Sequence, residues 1–179
     1  MIENNEKKLY EEILNTWIDE NETEEITNER FKKLDKKAEI LYEFVIAYNS
    51  YMNTKKDYGT GEELSMIEAH ILLDIVDNKG ITVTELSKKW RKTKSAISQT
   101  IKSLLKKEYI YRENSQTDAK IFYLLPKEKA FKFVLAHKKY DNIDIIKTNK
   151  LLLKKFSIEE LGTFYKVLEE YTNILNKKK

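Results

Sequence analysis

Residues 82–126 change their hydrophobic period from that of a helix to that of a strand, and this change constrains the fold more than any other feature. Thr82 and Glu85 have the spacing of a capping box in front of a short apolar-periodic helix. Thr93 is placed to cap a second helix, "KSAISQTIKSLLKK". The β-prone runs "YIYREN" and "KIFYLL" follow, separated by the polar segment "SQTDA". The order predicts a helix, a tight turn, a second helix and a β-hairpin.

The second of these helices has two very different faces. Its apolar side carries Ile97, Ile101 and Leu104. No acidic residue occurs between Arg91 and Lys107, whereas an exposed helix in so charged a chain would ordinarily mix Glu with Lys. Hydroxyl, amide and ammonium groups suit base edges and phosphates, although a plain basic surface is the other interpretation. The polar side of the helix carries Ser95, Ser98, Gln99, Lys102 and Lys106.

Two long amphipathic helices are predicted on either side of this unit. The first covers about residues 28–53 and the second follows Ser157, and in both the apolar residues alternate steps of three and four. This spacing favours a seam between paired helices, although one face of a globular core would show the same pattern. The seam positions are Phe31, Leu34, Ala38, Leu41, Val45, Tyr48 and Met52 in the first helix, and Leu161, Phe164, Leu168, Tyr171 and Leu175 in the second.

Further helices are predicted to connect these parts. Residues 64–78 form one that stops near Gly80, a residue suited to a left-handed cap. Pro126 opens another, because its missing N–H costs nothing in a first helical turn, and the helical pattern then continues to about Phe156. Ser157 begins a second capping-box sequence. The chain is therefore expected to be mainly helical.

Charge is distributed unevenly along the chain, although the net charge is only +3. Residues 1–30 contain 10 acids and 3 bases, a balance of −7, and include a short amphipathic helix predicted over residues 6–18. Residues 82–130 contain 12 bases and 5 acids, a balance of +7. A basic centre of this kind is typical of a nucleic-acid-binding surface.

Several classes of protein are disfavoured. The chain has no Cys, which excludes disulfides and thiolate metal sites, and no apolar run approaches the roughly 20 residues that span a membrane. The start of the chain lacks a signal peptide's pattern, so a cytoplasmic location is expected. No P-loop, dinucleotide fingerprint or His-rich metal motif is present, so we expect neither an enzyme nor a cofactor.

The ordered motifs resemble the MarR family of bacterial transcriptional regulators over about residues 29–176. The resemblance is carried by "TVTELSKKW", "KSAISQTIKSLLKKEYIYR", "TDAK" with "YLLPKEKA", and "FSIEELGTFYKVLEEY". Some positions depart from the family pattern: Glu108 stands where Gly is usual, and Gln99 where Arg is common. The wing motif ends in Lys120 rather than Arg, which keeps the cation but loses the guanidinium fork.

The resemblance implies a mainly α fold with a small β-hairpin wing, a winged helix-turn-helix flanked by N- and C-terminal dimerisation helices. It also implies a homodimer that binds a near-palindromic operator in double-stranded DNA, acts as a repressor and responds to a small-molecule effector. The expected division is an acidic extension (1–28), a dimerisation helix and loop (29–63), the DNA-binding domain (64–126) and C-terminal dimerisation helices (127–179). The predicted DNA contacts are Lys92, Lys94, Ser95, Ser98, Gln99, Lys102, Lys106, Arg112, Asp118 and Lys120.

Effector contacts are predicted from the family's ligand cleft. Tyr42 and Tyr48 combine an apolar body with a polar tip. His70 lies in the helix before the turn, and His137 lies in the helix after the wing. Some relatives sense zinc through histidines and carboxylates in such regions. Because the chain contains no H-x-x-x-H pair, ordinary packing roles are favoured for both histidines over metal ligation.

Two functional hypotheses stand. The first is a dimeric, effector-responsive DNA-binding regulator. The second is a winged-helix protein-interaction module with weak or no DNA binding. The acid-free helix face and the basic centre favour the first.

Overall fold

The computed structural model describes residues 21–116 and 121–178, apart from the side chains of residues 33, 36 and 37. The helix predicted over residues 6–18 and the predicted wing tip at 117–120 lie outside the described residues. Among the described helices we find no candidate for a membrane-spanning segment. The elements are α1 (Glu24–Asn53), β1 (Lys55–Asp57), β2 (Glu63–Ser65), α2 (Met66–Asp77), α3 (Val83–Trp90), α4 (Lys94–Lys106), β3 (Ile110–Asn114), β4 (Phe122–Pro126), α5 (Glu128–Leu152) and α6 (Ile158–Lys177).

The chain divides into two compact units between Ser50 and Tyr51. Most of α1 belongs to the first unit, and it begins four residues earlier than the sequence predicts. Many of its large apolar side chains are exposed, including Phe31 at 61% and Val45 at 54%. Phe44 and Tyr48, one turn apart, stack with ring centroids 5.8 Å apart.

The second unit has a hydrophobic core built from α2, α3, α4, the hairpin and the start of α5. Ile71, Leu72 and Ile75 of α2 have no exposed surface. They share this core with Leu86 of α3 and with the apolar side of α4. The helical period that the sequence predicts therefore faces the core in each of these short helices.

The hairpin wing pairs β3 with β4 in antiparallel register, from Ile110 opposite Pro126 to Asn114 opposite Phe122. A bridge between Ile81 and Leu124 attaches the wing to the segment between α2 and α3. Gly80, with φ of +87°, turns the chain there and donates its N–H to the Leu124 carbonyl at 3.0 Å. The predicted fold class, mainly α with a small hairpin wing, is confirmed.

A second antiparallel pair, β1 with β2, was not predicted from the sequence, which indicated only a loop. The pair runs from Lys55 opposite Ser65 to Asp57 opposite Glu63. The Asp57 carboxylate accepts three backbone N–H groups of the connecting loop at 2.8–3.1 Å, which closes the turn. Strands of three residues are too short to show an alternating pattern.

Two predicted helix boundaries differ from those in the structure. Pro126 does not open a helix: it is the last residue of β4, where its missing N–H falls at the end of the ladder, and α5 begins at Glu128 after the N-cap Lys127. That helix ends at Leu152, four residues before the predicted end. Ser157 forms the predicted capping box at the start of the last helix.

Candidate nucleic-acid interface and histidine cluster

The turn between α3 and α4 is held by specific backbone conformations and caps. Arg91 ends α3 in the left-handed region with φ of 50°, and the Ser87 hydroxyl donates to the Lys92 carbonyl at 2.6 Å. The Thr93 hydroxyl accepts the Ala96 N–H at 3.2 Å, as predicted for an N-cap. Thr82 and Glu85 form the predicted capping box at the start of α3. Local hydrogen bonds therefore fix where α4 begins.

The polar face of α4 is available to a partner. Ile97, Ile101 and Leu104 have no exposed surface, so the opposite side of the helix points outward. Ser98 is half-buried, and the remaining residues predicted to contact DNA in this region are exposed: Lys92, Lys94, Ser95, Gln99, Lys102 and Lys106. The surface combines ammonium groups with hydroxyls and an amide and contains no carboxylate of its own helix, which suits a polyanion with hydrogen-bonding edges.

The wing supplies one further described cation. Arg112 of β3 is exposed, and its guanidinium lies 5.7 Å from the ring centroid of Phe122 on β4. The ring limits the directions in which the guanidinium can extend. Asp118 and Lys120, the other predicted wing contacts, lie outside the described residues.

Glu108 keeps the backbone conformation that a Gly would adopt between α4 and the wing. Its φ is 59°, in the left-handed region that favours Gly. The next N–H, of Tyr109, bonds to the Leu104 carbonyl at 3.0 Å and ends the helix. The Glu108 carboxylate pairs with Lys127 at 3.4 Å on the surface. Glu108 in place of Gly therefore leaves the conformation of the turn unchanged.

Two buried carboxylates of α2 hold the other two helices of the motif. Glu68 accepts the Ser65 N–H at 2.9 Å and the hydroxyl of Ser103, on α4, at 2.7 Å. Asp74 accepts the ammonium of Lys89 at 2.5 Å and the indole N–H of Trp90 at 2.8 Å, both on α3. These contacts are not predictable from the sequence, because a carboxylate on a core helix carries no signal of its partner.

The structure brings together the two histidines that lie 67 positions apart in the sequence. The rings of His70 on α2 and His137 on α5 have centroids 4.8 Å apart. Both Nε2 atoms face the same Oδ2 of Asp141, at 3.4 Å from His70 and 3.2 Å from His137. Asp141 follows His137 by one helical turn, a spacing that places both on one face of α5.

His137 is buried completely, and neither of its ring nitrogens has an aligned hydrogen bond among the described residues. Its contact with Asp141 is close but not aligned as a hydrogen bond. Burial lowers the pKa of His137, and the Asp141 carboxylate opposes this effect. A lowered pKa favours the neutral imidazole, which is the form that binds a metal ion.

The cluster of His70, His137 and Asp141 has the donor set of a transition-metal site. Its ligand atoms all lie within 4.8 Å of one another. On a tetrahedral Zn²⁺ with ligand distances of about 2.0–2.1 Å, two ligand atoms are about 3.3 Å apart. The distances from Asp141 to the two histidines already match this ligand–ligand separation. Two imidazoles with one carboxylate suit zinc better than Mg²⁺ or Ca²⁺.

Aromatic residues surround the cluster. Tyr58 packs edge-on against His137, with ring centroids 4.7 Å apart. Burial raises the pKa of Tyr58 to about 12. The Tyr51 hydroxyl donates to Asp144 at 2.7 Å, and burial together with that carboxylate raises the pKa of Tyr51. The predicted effector residues Tyr42 and Tyr48 belong to the first unit and are exposed on α1.

Comparison with known proteins identifies the winged helix. Residues 63–121 match the model of the MarR family. No curated protein sequence is similar enough to count as a relative.

Solved structures share the fold at low sequence identity. FabT of Streptococcus pneumoniae, solved in complex with DNA, is 20% identical with a TM-score of 0.59, and the match covers 83% of this chain and 99% of that one. The adhesin competence repressor AdcR of Streptococcus pyogenes is 24% identical with a TM-score of 0.55, covering 79% and 97%. ZitR of Lactococcus lactis, a zinc-responsive MarR family member, is 18% identical with a TM-score of 0.56, covering 81% and 98%.

Fold and family match agree with the motifs found along the chain. The match covers α2, α3, α4 and β3, the elements that position the polar face of α4. The similarity to the MarR family therefore lies in residues 63–121, the helix-turn-helix and the start of the wing.

Proposed function

We propose that the protein is a homodimeric, sequence-specific DNA-binding regulator that represses transcription and is controlled by a small effector. The observation that carries this proposal is the exposed face of α4, which lacks acidic residues and is braced from behind by the buried residues Ile97, Ile101 and Leu104. A rigid helix with such a face fits the major groove of B-DNA. Among structural neighbours, FabT was solved in complex with DNA.

Each side chain of the face has a role in the proposed complex. Ser95, Ser98, Gln99 and Lys102 enter the major groove, where Gln99 is able to bond to both N6 and N7 of adenine. Lys92, Lys94 and Lys106 lie toward the phosphates. Arg112 and Lys120 hold the wing against the backbone or minor groove, and Asp118 fixes the wing tip through a neighbouring cation. The phosphate contacts supply affinity, and the groove contacts supply specificity.

A homodimer is supported by the apolar seams at both ends of the chain. Every residue of α6 is described and none is buried, yet Phe164, Tyr171 and Leu175 are 44–48% exposed. An exposed apolar stripe of this length on a soluble helix marks an interaction surface. A two-fold dimer places two α4 helices about one turn of duplex apart, so the operator is a near-palindrome.

The histidine cluster supports a metal ion as the effector, rather than an organic ligand. His70, His137 and Asp141 would hold Zn²⁺ as three protein ligands and leave a fourth position open. When bound, the ion would supply a charge and a cross-link between α2 and α5. ZitR, which has the same fold, is described as zinc-responsive, and AdcR is described as a repressor.

Two substitutions on α4 test the proposed DNA binding. One is expected to affect sequence preference, and the other is expected to affect affinity for all duplexes. Gln99→Ala is expected to change base preference and to cost about 1–3 kcal/mol at one base pair of a selected duplex. Lys106→Ala is expected to weaken binding to specific and scrambled duplexes alike and to reduce the salt slope by about one unit per subunit. Fluorescence anisotropy across a salt series measures both effects.

A matched control and the contradicting result follow from the same assay. Lys139→Ala removes an exposed cation of α5 that is not among the predicted DNA contacts, and it is expected to leave binding unchanged. If wild-type protein binds no duplex, the winged helix is better described as a protein-interaction module. If both α4 variants bind as the wild type does, this face does not contact DNA.

The metal proposal has its own test. Zinc titrated into chelator-treated protein is expected to bind with a stoichiometry of about one per chain and to lose affinity at least tenfold in His70→Ala. Asp77→Asn removes an exposed carboxylate of the same helix outside the cluster and serves as the control. Equal zinc affinity in His70→Ala and the wild type would contradict the assignment without bearing on DNA binding.

A further inference from the structure

His70 stands between the candidate metal site and the helix-turn-helix. Its Nε2 faces Asp141 at 3.4 Å, toward α5. Its ring also lies against the indole of Trp90, with centroids 6.4 Å apart and planes inclined by 55°. A displacement of this imidazole therefore changes the surroundings of Trp90 directly.

Trp90 is fixed at the point where α3 becomes the turn. It is the last residue of α3, and only Arg91, Lys92 and Thr93 separate it from α4. Its indole N–H donates to Asp74 at 2.8 Å, and Asp74 is only 9% exposed. Asp74 is one turn beyond His70 on α2, so one helix carries both contacts of the indole.

The His–Asp distances match a tetrahedral ion, but the ligand atoms of the cluster spread over as much as 4.8 Å. Capture of one ion would therefore bring the two imidazoles together, because a tetrahedral edge is only about 3.3 Å. His137 is enclosed by Tyr58, Phe133 and the rest of the core and has little room to move. His70 is half-exposed, so most of the movement falls on the ring that neighbours Trp90.

We propose that Trp90 is a positioning residue that transmits metal capture at His70 to the turn before α4. The proposal rests on the metal-responsive function proposed above. Withdrawal of His70 changes the packing of one face of the indole, while Asp74 holds its N–H. The change reaches Arg91, the next residue, whose backbone is left-handed with φ of 50° in the turn between α3 and α4. Metal binding thereby alters how two α4 helices fit a duplex.

The first experiment uses Trp90 as its own reporter. The chain has two tryptophans, so the full-length Trp17→Phe protein has Trp90 as its only indole. Zinc chloride is titrated while emission is recorded, and zinc affinity is measured separately by chelator competition. Zn²⁺ has a closed d shell and no redox chemistry, so an emission change reports the surroundings of the indole. We expect a saturable change whose midpoint equals the zinc dissociation constant, and no change in His70→Ala.

The second experiment measures coupling with a duplex selected from a random pool. In the wild-type protein, the parent of the variants below, zinc is expected to change duplex affinity by about tenfold or more. Trp90→Phe keeps a ring in place but loses the bond to Asp74, and is expected to reduce that effect to less than about threefold. Zinc affinity and zinc-free duplex affinity should both stay close to those of the parent. Tyr165→Phe, which also removes one interhelical donor, to Asn149, is the control.

The outcomes separate this proposal from those on which it rests. Zinc binding with unchanged Trp90 emission, or a full zinc effect in Trp90→Phe, overturns the role of Trp90 alone. Absence of zinc binding overturns the metal site and this proposal together, and leaves DNA binding to be judged by the zinc-free affinities. If Trp90→Phe does not fold, the emission experiment in the Trp17→Phe protein still decides.

Discussion

The winged helix and the terminal helices bury their apolar residues to very different extents. In α2, α3 and α4, residues such as Leu72, Leu86 and Ile101 have no exposed surface within a single chain. In α6 no residue is buried, and Phe164 and Leu175 keep nearly half of their surface exposed. Both kinds of helix are amphipathic in sequence. The difference shows that an apolar stripe indicates a contact without telling whether the contact lies within one chain, and the terminal stripes are explained by the proposed dimer.

The largest expected effect comes from a charge in the α1 seam. Leu41→Asp is expected to raise the dimer dissociation constant by more than about 100-fold, because an unpaired carboxylate would be buried against the second chain. Sedimentation at micromolar concentration measures the shift from twice 21.3 kDa toward 21.3 kDa. Ala47→Asp adds the same charge at an exposed position outside the seam and should remain dimeric. A wild-type protein that sediments as a monomer would contradict the dimer.

The same truncation in α4 and in α6 distinguishes a side chain buried within one chain from one buried between chains. Leu104→Ala removes a fully buried side chain of α4 and is expected to cost about 2–5 kcal/mol of unfolding free energy at any protein concentration. Leu175→Ala, in α6, is expected to weaken association, so its cost should be largest at protein concentrations where the wild type is dimeric and should shrink on dilution. Urea unfolding at several concentrations measures both. Equal and concentration-independent losses would show that α6 packs within its own chain.

Capping supports the winged helix independently of any partner. Hydrogen bonds from the Thr82 backbone N–H and hydroxyl lower the pKa of Glu85, so its contribution is complete above the unfolded pKa of about 4.5 and is lost as pH falls through the folded value. Glu85→Ala is expected to cost about 1 kcal/mol near pH 7 and less near pH 3. Glu113→Ala, on the exposed wing, is the control for removing a charge. A cost that does not change with pH would contradict the cap.

The smallest effect is expected at the departure from the family pattern. Glu108→Gly removes a side chain from a left-handed backbone and is expected to stabilise the fold by about 0.5–1 kcal/mol, since Gly adopts positive φ without strain. Loss of the surface ion pair with Lys127 offsets little of this gain. Thermal unfolding measures the change, and Glu113→Gly, in strand β3, should instead destabilise. Destabilisation by Glu108→Gly would mean that the carboxylate contributes more than its backbone costs.

Features encoded by nearby residues were predictable from the sequence. The capping boxes at Thr82 and Ser157 and the N-cap at Thr93 involve partners within three residues, and all three are present. The burial of Ile97, Ile101 and Leu104 follows from helical spacing alone. The three-residue strands β1 and β2 were missed, because they are too short for periodicity.

Contacts between distant residues were not predictable in the same way. His70 and His137 meet only after α2 packs against α5, and nothing in the spacing between them indicates this. The bonds from Glu68 to Ser103 and from Asp74 to Trp90 likewise join helices whose relative placement depends on the whole core. Pro126 lies at the end of β4 and not in the predicted helix. A proline at a strand end and a proline in a first helical turn have similar local sequences, so the sequence does not distinguish them.

A dimer that contacts duplex DNA with two α4 helices should select its operator from a random duplex pool. Full-length wild-type protein is incubated with the pool at physiological salt, and bound duplexes are recovered, amplified and sequenced over several rounds. We expect enrichment of a near-palindrome whose half-sites are about one helical turn apart. A pool in which no sequence is enriched, or in which a single isolated half-site is enriched, would contradict it.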